Sequence, residues 1–466
     1  MNGKPQVPPR RATSADRADL ALLTDLYQLT MLQAYWHEDM FEPARFSLFV
    51  RRLPPTRNFL LACGIDEAVE LLSTLRFDPA ALDWLADRRE FGRDFVDWLA
   101  DWRFSGDVRA MAEGTPFFAN EPILEVHAPL PEAQLVETLL MNQVQLQTLL
   151  ASKGARVVHA AAGRTVADFG LRRVHGIDAG IKGARAFYVA GAHSTSNVLA
   201  GRVYDIPLSG TMAHSYVQAH GSEMDAFRAF TALYPDTVLL VDTYDTLEGV
   251  RNVVRLAEEQ GDRFSVSAIR LDSGDLAAHA RDARAILDDA GLPEVRILAS
   301  GSLDEHAVAE LVGQGAPIDA FGVGTAMGVS ADAPSLDIVY KLAEYDGRAT
   351  SKLSIGKPVL PGPKQVFREE RDDRAVRDVI GTADQEGHGR PLLAPVMRDG
   401  RMIEAAEPRG VARARERART EMARLPPRIR ALEPAEPAYE VRVSARLEAL
   451  HREVVERLRV EERSAT

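Results

Sequence analysis

The sequence predicts an α/β protein with an N-terminal α/β sandwich domain, a second domain of strand–helix units and a C-terminal helical extension. Between about residues 155 and 330, apolar strand-like runs alternate with helical segments, the order typical of βα units. Before residue 153 strands and helices follow no such alternation, which favours a sandwich. After residue 368 the chain is rich in Arg and Glu at helical i,i+4 spacing. With 466 residues, it is long enough for two or three domains.

Composition limits the classes of function. Apolar residues make up 46% and charged residues 27% of the chain, as is ordinary for a globular protein. A net charge of −12 argues against nucleic-acid partners and anionic membrane surfaces. The single cysteine, Cys63, excludes an intramolecular disulfide and a cysteine-based metal cluster. No apolar run approaches the roughly 20 residues of a membrane span, and residues 1–19 lack the apolar core of a secretory signal. We therefore expect a cytoplasmic protein.

The N-terminal part divides into an arm of residues 1–19, expected to be disordered, and the sandwich domain of residues 20–152. The spacing of apolar residues predicts a first helix over 21–37. Tyr27 lies in this helix among polar neighbours and is by default a tyrosine at the edge of the core. Further strands are expected at 44–50, 107–111, 116–119 and 122–127, and further helices at 65–75, 80–101 and 132–152.

Residues 153–345 carry the strand–helix units. Strands are predicted at 237–241, 264–271, 295–299 and 318–323, with helices at 246–260, 276–290 and 304–312. In barrels and open α/β sheets, the loops that follow parallel strands meet on one side. The residues after these four strands are therefore expected to form one ligand site. Residues 346–466 are assigned to a segment that returns to the sandwich and ends in helices.

Two of these loops are acidic. Asp242 and Asp245 follow the first strand, and Asp272 and Asp275 follow the second, which also contains Arg270. Such carboxylates suit Mg²⁺, the hydroxyls of a sugar or a developing positive charge. Asp242, Asp272 and Asp275 are the candidate magnesium ligands, and Asp272 and Asp275 are also candidate catalytic groups.

The other two loops suit phosphate. Ser300 and Gly301 follow the third strand, and Gly324 and Thr325 follow the fourth. Glycine-rich turns at strand ends present backbone N–H groups to anions. Arg172, at the end of another strand-like run, is a further candidate anion partner. Acidic and phosphate-binding loops around one pocket favour a sugar phosphate that also carries diphosphate and a metal.

The stretch Gly210–Ser215 is interpreted as a strand-to-helix turn. It follows the apolar run Val203–Leu208, expected to be a strand, and precedes residues that favour a helix. Within it, His214 could act as a nucleophile or as an acid/base near neutral pH. The alternative is an ordinary helix cap in which Thr211 or Ser215 caps and His214 is a bystander.

Lysine is scarce, with seven in the whole chain. Because none lies between Lys182 and Lys341, the strand ends cannot supply a Schiff-base lysine, which argues against an aldolase or a pyridoxal-phosphate enzyme. No paired-histidine pattern for zinc is present either. Four of the seven, at 341, 352, 357 and 364, fall in one segment that could neutralise a polyphosphate or could form a solvated hairpin.

Several motifs together resemble the nicotinate phosphoribosyltransferase family. They are Thr24–Met31, Gly210–His214, Ile269–Leu276 and Gly322–Thr325, and the resemblance ends near Leu360–Arg368. It runs from about residue 20 to about residue 368. Four motifs in the same order at compatible spacing are much more specific than any one of them.

The resemblance implies a fold, a reaction and roles for residues. The family has an irregular α/β barrel of the type II phosphoribosyltransferase kind with an N-terminal sandwich, and is usually a homodimer whose sites lie at the interface. It joins nicotinate to phosphoribosyl diphosphate and couples this to ATP hydrolysis, with Mg²⁺ on the diphosphate. By resemblance, Tyr27, Thr211 and Arg270 would contact nicotinate, Thr325 would contact the phosphoribosyl group, and His214 would be transiently phosphorylated.

The alternatives and departures are specific. Nicotinamide is the alternative substrate within the fold, and its neutral amide would need less positive charge. A sugar-phosphate lyase or isomerase ought to show a positioned Lys or Glu base, and a regulatory pseudoenzyme would bind nucleotide only.

This chain departs from many relatives at Ser300–Ser302 and from some bacterial members at Ser215. Residues 369–466 match nothing in the family pattern.

Overall fold

The computed structural model describes residues 17–353, 359–387, 389–404 and 409–464. Most of the predicted arm lies outside these residues. Its last three residues belong to a 3-10 helix, Arg17–Leu22. Ala21 of this helix is buried in the core of the first domain, so ordered structure begins before the predicted boundary at residue 19.

The N-terminal domain mixes helices and strands, as predicted. Its elements are α1 Leu26–His37, β1 Pro43–Val50, β2 Leu60–Leu61, α2 Ile65–Thr74, α3 Pro79–Ala86, α4 Arg93–Asp101, β3 Asp107–Met111, β4 Pro116–Phe117, β5 Pro122–Pro129, α5 Leu130–Leu135 and α6 Glu137–Ala160. The long helix α6 contacts α2 and β2 on one side and elements of the second domain on the other.

The second domain alternates strands and helices. Its elements are β6 Thr165–Asp168, α7 Ile177–Ala190, β7 Ser194–Thr195, α8 Val198–Tyr204, α9 His214–Gln218, α10 Glu223–Leu233, β8 Val238–Leu240, α11 Thr246–Gln260, β9 Ala268–Leu271, α12 Leu276–Asp289, β10 Arg296–Ser300, α13 Glu305–Gly313, β11 Ala320–Val323 and α14 Thr325–Gly328. All four predicted strands are present; β8, β9 and β11 are shorter than expected, and β10 has the expected length but begins one residue later.

The C-terminal part returns to strands before it becomes helical. Its elements are β12 Ile338–Tyr345, β13 Arg348–Ala349, β14 Lys364–Arg371, β15 Arg374–Thr382, β16 Arg390–Pro391, β17 Leu393–Arg398, β18 Arg401–Met402, α15 Val411–Arg424, α16 Pro427–Arg430, β19 Glu440–Val443 and α17 Ala445–Ser464.

The strands of the second domain form a curled, parallel six-stranded sheet in the order β7-β6-β11-β10-β9-β8. Helices α11, α12 and α13 connect successive strands. This confirms the α/β class. It also places the loops after β8, β9, β10 and β11 at one edge, because the carboxyl ends of neighbouring parallel strands lie side by side.

A seven-stranded sheet forms the sandwich, in the order β13-β12-β1-β5-β3-β17-β18. Strand β12, whose residues fall in the range assigned to the second domain, pairs antiparallel with β1 along almost its whole length. Tyr340 of β12 stacks on Phe46 of β1 with ring centroids 4.8 Å apart, which buries both rings. The expected boundary at residue 345 is therefore wrong, because β12 belongs to the first sheet.

The run Val203–Leu208 is not a strand. Helix α8 extends through Tyr204, and Asn197 caps it by accepting a hydrogen bond from the backbone N of Ala200 at 3.1 Å. Only Leu208 makes a β-bridge, with Thr195. The apolar run therefore joins a helix end to an extended turn.

The segment after residue 368 was expected to be helical, and this is wrong for its first half. Strands β14 and β15 form a hairpin within a four-stranded sheet in the order β16-β14-β15-β19. The turn residues Asp372 and Asp373 both have positive φ, at 51° and 57°, as a tight hairpin turn requires. The helix was predicted because the charged residues at the solvated positions of these strands have a spacing that resembles helical charge pairs. The helices α15 and α17 follow later in the segment, and α17 packs against β15.

No helix within the described part of the chain is both long and apolar enough to span a membrane.

Candidate active site

The site lies at the carboxyl end of the parallel sheet. In β9, Arg270 is in register with Leu240 of β8 and Leu298 of β10. The residues at and after the ends of these strands, Ser300 and Asp242 among them, therefore lie at the same edge of the sheet as Arg270.

Arg270 is the centre of the site, with its side chain 13% exposed. Its Nε donates to Ser300 Oγ at 2.8 Å, and its Nη1 donates to Thr211 Oγ1 at 2.7 Å. Its Nη2 donates to Asp272 Oδ1 at 2.6 Å. A longer bond of 3.5 Å joins Nη1 to the carbonyl of Met212. The guanidinium thus brings together Thr211, Asp272 and Ser300, which were selected from three separate stretches of the sequence.

Asp272 is held from several directions. Its Oδ1 accepts from Ser300 Oγ at 2.5 Å as well as from Arg270. Its backbone N donates to Asp242 Oδ2 at 2.9 Å. Burial by itself raises the pKa of Asp272, but the hydrogen bonds from Ser300 and Arg270 and the charge of Arg270 outweigh burial and lower it. The carboxylate is therefore ionised at neutral pH.

Asp242 has one satisfied and one free oxygen. Its Oδ2 accepts from the Asp272 backbone and from Ser273 Oγ at 2.7 Å. Its Oδ1 is buried and has no hydrogen-bond partner in the described part of the chain. A buried carboxylate oxygen in this condition is suited to a ligand or a metal ion, since such atoms are normally paired.

His214 is the first residue of α9 and its side chain is 41% exposed. Its Nδ1 lies 3.2 Å from Thr243 Oγ1, within hydrogen-bonding distance. Its Nε2 lies 3.7 Å from Asp272 Oδ2, an ion-pair distance that is too long for a hydrogen bond. The predicted histidine is therefore in the same site as Arg270. Thr243 was missed because only the carboxylates of the Asp242–Asp245 loop were selected.

The glycine of the third loop permits a close approach. Gly301 has a φ of +92°, and a Cβ there would lie 1.9 Å from the carbonyl oxygen of Asp272. The positive φ by itself disfavours any other residue, and the carbonyl oxygen of Asp272 leaves no room for a side chain. Gly301 therefore lets the loops after β9 and β10 meet, which sets the position of Asp272.

The fourth loop lies beside the residues that follow β6. A Cβ on Gly324 would lie 3.3 Å from the carbonyl oxygen of Phe169. Thr325 is exposed, and its Oγ1 accepts from Arg173 Nη1 at 3.4 Å. Arg173, rather than the predicted Arg172, makes this contact; Arg172 is the preceding residue of the same exposed 3-10 turn.

Phe169 is a site residue that sequence reasoning missed. Its ring centre lies 5.8 Å from the guanidinium carbon of Arg270, within cation–π range. It directly follows β6, a position that could have identified it, because aromatic rings at strand ends often form the walls of ligand pockets.

The three carboxylates predicted as magnesium ligands do not form one cluster. Asp275 is the N-cap of α12, and its Oδ1 accepts from the backbone N of Ala278 at 3.0 Å. Asp272 Oδ1 is occupied by Arg270 and Ser300. Among the residues described, no group of three or more His, Cys, Asp or Glu side chains is arranged to hold a metal.

Of the four lysines predicted to neutralise a polyphosphate, Lys364 cannot do so, and for this residue the prediction is wrong. Lys364 is buried, and its Nζ donates to the carbonyls of Leu360 at 3.0 Å and Gly362 at 2.6 Å. Glu125 lies 3.3 Å away, but burial outweighs it and lowers the pKa of Lys364. Lys341 is half-buried in β12 and Lys352 is exposed, whereas position 357 lies outside the described residues.

Tyr27 makes no hydrogen bond to Arg270 among the contacts of the described residues. It lies on α1, is 49% exposed, and its hydroxyl accepts from Gln28 Nε2 at 2.8 Å. Gln28 in turn donates to Glu137, so these bonds remain within the first domain. Leu26 beside it is 60% exposed, which makes this end of α1 an open apolar surface.

Comparison with known proteins agrees with this geometry. Residues 22–145 match the model of the nicotinate phosphoribosyltransferase N-terminal domain, and residues 165–376 match the model of the nicotinate phosphoribosyltransferase family. A nicotinate phosphoribosyltransferase of Mycobacterium tuberculosis is 52% identical over 92% of this chain and 92% of its own length. One from Bacillus subtilis is 42% identical over 79% of this chain and 77% of its own.

A solved structure supports the same assignment. The human nicotinic acid phosphoribosyltransferase structure aligns with a TM-score of 0.82 at 28% identity and covers 92% of this chain and 99% of the human one. This confirms the fold class, an irregular α/β barrel beside a sandwich. With two family models that cover more than half of the residues, the chain belongs to the nicotinate phosphoribosyltransferase family and is an enzyme.

Proposed function

We propose that this enzyme transfers the phosphoribosyl group of 5-phosphoribosyl 1-diphosphate to nicotinate, giving nicotinate mononucleotide and diphosphate, and couples this to ATP hydrolysis. The observation that carries the proposal is the setting of Arg270. Among the described residues, its hydrogen bonds occupy four of the five guanidinium N–H groups and leave one N–H on Nη2 for a ligand. A half-buried guanidinium with a free N–H suits the carboxylate of nicotinate.

The remaining groups suit transfer at the anomeric carbon. The pyridine nitrogen attacks with its own lone pair, so no general base is needed. The bond from carbon to diphosphate breaks as the carbon–nitrogen bond forms, and diphosphate leaves with the electron pair. Positive charge develops on the sugar, and the ionised Asp272 and the free oxygen of Asp242 would stabilise it. Phe169 would form one wall for the pyridine ring.

Magnesium enters this proposal with the substrate. Mg²⁺ usually binds proteins through one or two carboxylates together with substrate phosphates. The unpartnered Oδ1 of Asp242 suits such a contact, whereas Asp275 acts through the helix that it caps. The glycine loop with Thr325, together with Arg172 and Arg173, suits the 5-phosphate of the sugar.

ATP would act through His214. Joining nicotinate to phosphoribosyl diphosphate needs no nucleophile on the enzyme, so a histidine beside Asp272 requires another role. A phosphorylated His214 would bind substrate or product differently from the free histidine, and only such a difference can turn ATP hydrolysis into a shifted equilibrium.

The complete site would need a second subunit. Tyr27, implied by resemblance to contact nicotinate, is exposed on α1 and bonds only within its own domain in the contacts described. A homodimer that brings the partner's Tyr27 over Arg270 would cover the exposed end of α1 and complete the nicotinate pocket.

The test is a turnover assay with nicotinate, nicotinamide and quinolinate side by side, each with and without ATP. We expect mononucleotide from nicotinate only, with turnover stimulated by ATP. Preference for nicotinamide would contradict the role of Arg270. Equal nicotinate turnover with and without ATP would remove the coupling to ATP while leaving the transfer reaction in place.

A further inference from the structure

We propose that Thr243 is a positioning residue that holds the Nδ1–H of His214, so that Nε2 is the nitrogen that accepts the phosphoryl group of ATP. This inference rests on the proposed function, because it concerns the phosphorylation of His214. Beyond the proposed function, it names Thr243 as the residue whose hydroxyl orients the ring, and Nε2 as the atom that forms the bond to phosphorus.

The two ring nitrogens have different surroundings. Nδ1 is 3.2 Å from Thr243 Oγ1 and is covered by it, whereas Nε2 has no partner within hydrogen-bonding distance in the described structure. The partner of one imidazole nitrogen determines which tautomer the ring adopts. When Thr243 accepts the Nδ1 proton, the lone pair lies on Nε2, the nitrogen that remains open to an incoming phosphate.

Thr243 is placed on a rigid part of the fold. It follows β8, whose residues Leu239 and Leu240 are fully buried. On one side of it, Asp242 is fixed by bonds to the loop after β9. On the other side, Asp245 caps α11 by accepting from the backbone N of Glu248 at 2.8 Å. A hydroxyl anchored on both sides can orient a half-exposed ring accurately.

The proposed step balances. The Nε2 lone pair forms the nitrogen–phosphorus bond while the bond from the γ-phosphorus to the bridging oxygen breaks, and ADP leaves with that electron pair. The Nδ1 proton stays on the ring and remains donated to Thr243 Oγ1. The ring thereby gains a positive charge that partly offsets the phosphoryl oxygens, which lie on the Asp272 side.

The competing arrangement assigns the orienting role to Asp272. In it, Nε2–H would face Asp272 Oδ2, and the phosphoryl group would be attached to Nδ1. That arrangement requires the ring to leave Thr243, because the hydroxyl occupies the approach to Nδ1. It also requires Nε2 to close the 3.7 Å gap to the carboxylate. The two arrangements predict different phosphohistidine isomers.

The experiment compares the full-length wild-type enzyme with the variants Thr243→Val and Thr243→Ser, and uses His214→Asn as a control. Valine has nearly the shape of threonine without the hydroxyl, and serine keeps the hydroxyl without the methyl group. We would follow acid-labile label from γ-labelled ATP, ATP-stimulated and ATP-independent turnover, and the isomer by antibodies that distinguish Nδ1- from Nε2-phosphohistidine. The His214→Asn variant identifies label that is not on His214.

We expect Nε2-phosphohistidine in the wild type, and a phosphorylation rate about tenfold or more lower in Thr243→Val, the scale of one lost hydrogen bond to a reacting group. Thr243→Ser should recover most of that rate, which a merely structural role would not require. The ratio of ATP-stimulated to ATP-independent turnover should fall in Thr243→Val and recover in Thr243→Ser.

Three outcomes would overturn the inference in different ways. Nδ1-phosphohistidine in the wild type contradicts the assignment of the nitrogen and needs no variant to show it. A wild-type rate of labelling in a folded Thr243→Val enzyme contradicts the positioning role. Absence of any label from wild-type His214 would instead refute the ATP part of the proposed function, and this inference with it.

Discussion

At the scale of single residues, the site is organised by one carboxylate that faces two functional groups. Oδ1 of Asp272 binds Arg270 and Ser300, and its Oδ2 lies 3.7 Å from His214 Nε2. The proposed nicotinate-binding cation and the proposed phosphorylated histidine therefore share a neighbour. A phosphoryl group on His214 would change the electrostatic surroundings of Asp272, and through Asp272 those of Arg270.

The first prediction concerns Arg270. Replacement by Ala should lower kcat/KM for nicotinate roughly 30- to 4,000-fold, because truncating one side of a hydrogen-bonded charge pair costs about 2–5 kcal/mol. Arg270→Lys keeps the charge but loses the fork that bonds Ser300, Thr211 and Asp272, so it should recover only part of the loss. Steady-state kinetics with nicotinate measures both.

The control for this prediction is Arg228→Ala. Arg228 is on the surface, where it pairs with Glu259 and Asp225. Its loss should leave nicotinate kinetics unchanged. Unchanged kinetics in Arg270→Ala as well would transfer the carboxylate contact to another residue.

At the scale of elements, the meeting of the loops after β9 and β10 depends on Gly301. Its Cβ position is occupied by the carbonyl oxygen of Asp272, so any side chain there must push the Asp272 loop away. The distances from Asp272 to His214 and to Arg270 would then change. The geometry of the site is thus determined by a backbone contact as much as by side chains.

The second prediction follows from this contact. Gly301→Ala should lose most turnover, and its free energy of unfolding should fall by more than the roughly 1–2 kcal/mol expected for a non-glycine residue at positive φ. The matched control is Gly163→Ala, which has a similar φ of +89° and nothing within 4 Å of the new Cβ. It should show the backbone cost alone with normal kinetics. Equal effects of the two variants would mean that the Asp272 contact is unimportant.

A second feature at this scale is an ionic network between α6 and α13, in which the buried side chains of Lys153, Glu305 and Arg57 are joined to the more exposed Asp332. Lys153 Nζ binds Glu305 at 2.5 Å and Asp332 at 2.8 Å, and Arg57 also pairs with Asp332 at 3.2 Å. Burial raises the pKa of Asp332, but Arg57 and Lys153 outweigh burial, so the pKa lies below its usual range. The network ties the bridging helix to the loop before β12.

The third prediction is the pH dependence of this network. Because the pKa of Asp332 is lower in the folded than in the unfolded state, its contribution to stability is present above the ordinary carboxyl pKa of about 4 and is lost as pH falls below it. Asp332→Asn should therefore destabilise the protein by roughly 1–3 kcal/mol at pH 7, with a difference from wild type that shrinks towards pH 3. Urea unfolding at several pH values measures it.

The matched variant is Asp337→Asn. Asp337 pairs with Arg52, whose side chain is 85% exposed, and more distantly, at 3.6 Å, with Arg51, so its loss should cost less than about 1 kcal/mol. A constant difference between wild type and Asp332→Asn across the pH range would show that the carboxylate is not the source of the stabilisation.

At the scale of the whole molecule, the C-terminal segment ties the two domains together. A Cβ on Gly114 of the first domain would lie 2.2 Å from the carbonyl oxygen of Ala414 in α15. Arg415 of the same helix donates to the carbonyls of Tyr188, at 2.6 Å, and Gly191, at 3.0 Å, at the end of α7. The segment that follows the four family motifs in the sequence is therefore part of the folded body.

The fourth prediction tests a site shared between subunits. Neither Tyr27→Ala nor His214→Asn should show full ATP-stimulated turnover alone. If the partner's Tyr27 completes the pocket, subunit exchange between the two variants creates hybrid dimers with one intact site. Random exchange should then recover about a quarter of the wild-type stimulated rate. Activity equal to the mean of the two separate variants would show that each site is built from a single chain.

The sequence by itself determined the strand–helix order of the second domain and most of its site residues. The apolar runs that became β8 to β11 are local patterns, and residues directly after parallel strands must share one edge of the sheet. Hence Asp272 and Ser300 could be chosen from their positions at strand ends, and Arg270 from the strand before Asp272, whereas Thr211 and His214 were chosen from the Gly210–Ser215 turn and the family resemblance.

Only the tertiary structure decided which partner each element takes. Strand β12 pairs with β1, almost 300 residues earlier, and no local pattern encodes that choice. The charged strands β14 and β15 resemble helices until their hairpin turn and sheet neighbours are known.

The same holds for the fate of individual polar side chains. Asp275 caps a helix while Asp272, three residues earlier, enters the site, because a turn of backbone directs the two carboxylates differently. Lys364 is buried because Glu125 and two carbonyls surround it. Sequence periodicity specifies elements, but the stability of a buried charge depends on groups supplied by distant parts of the chain, and these meet only in the folded molecule.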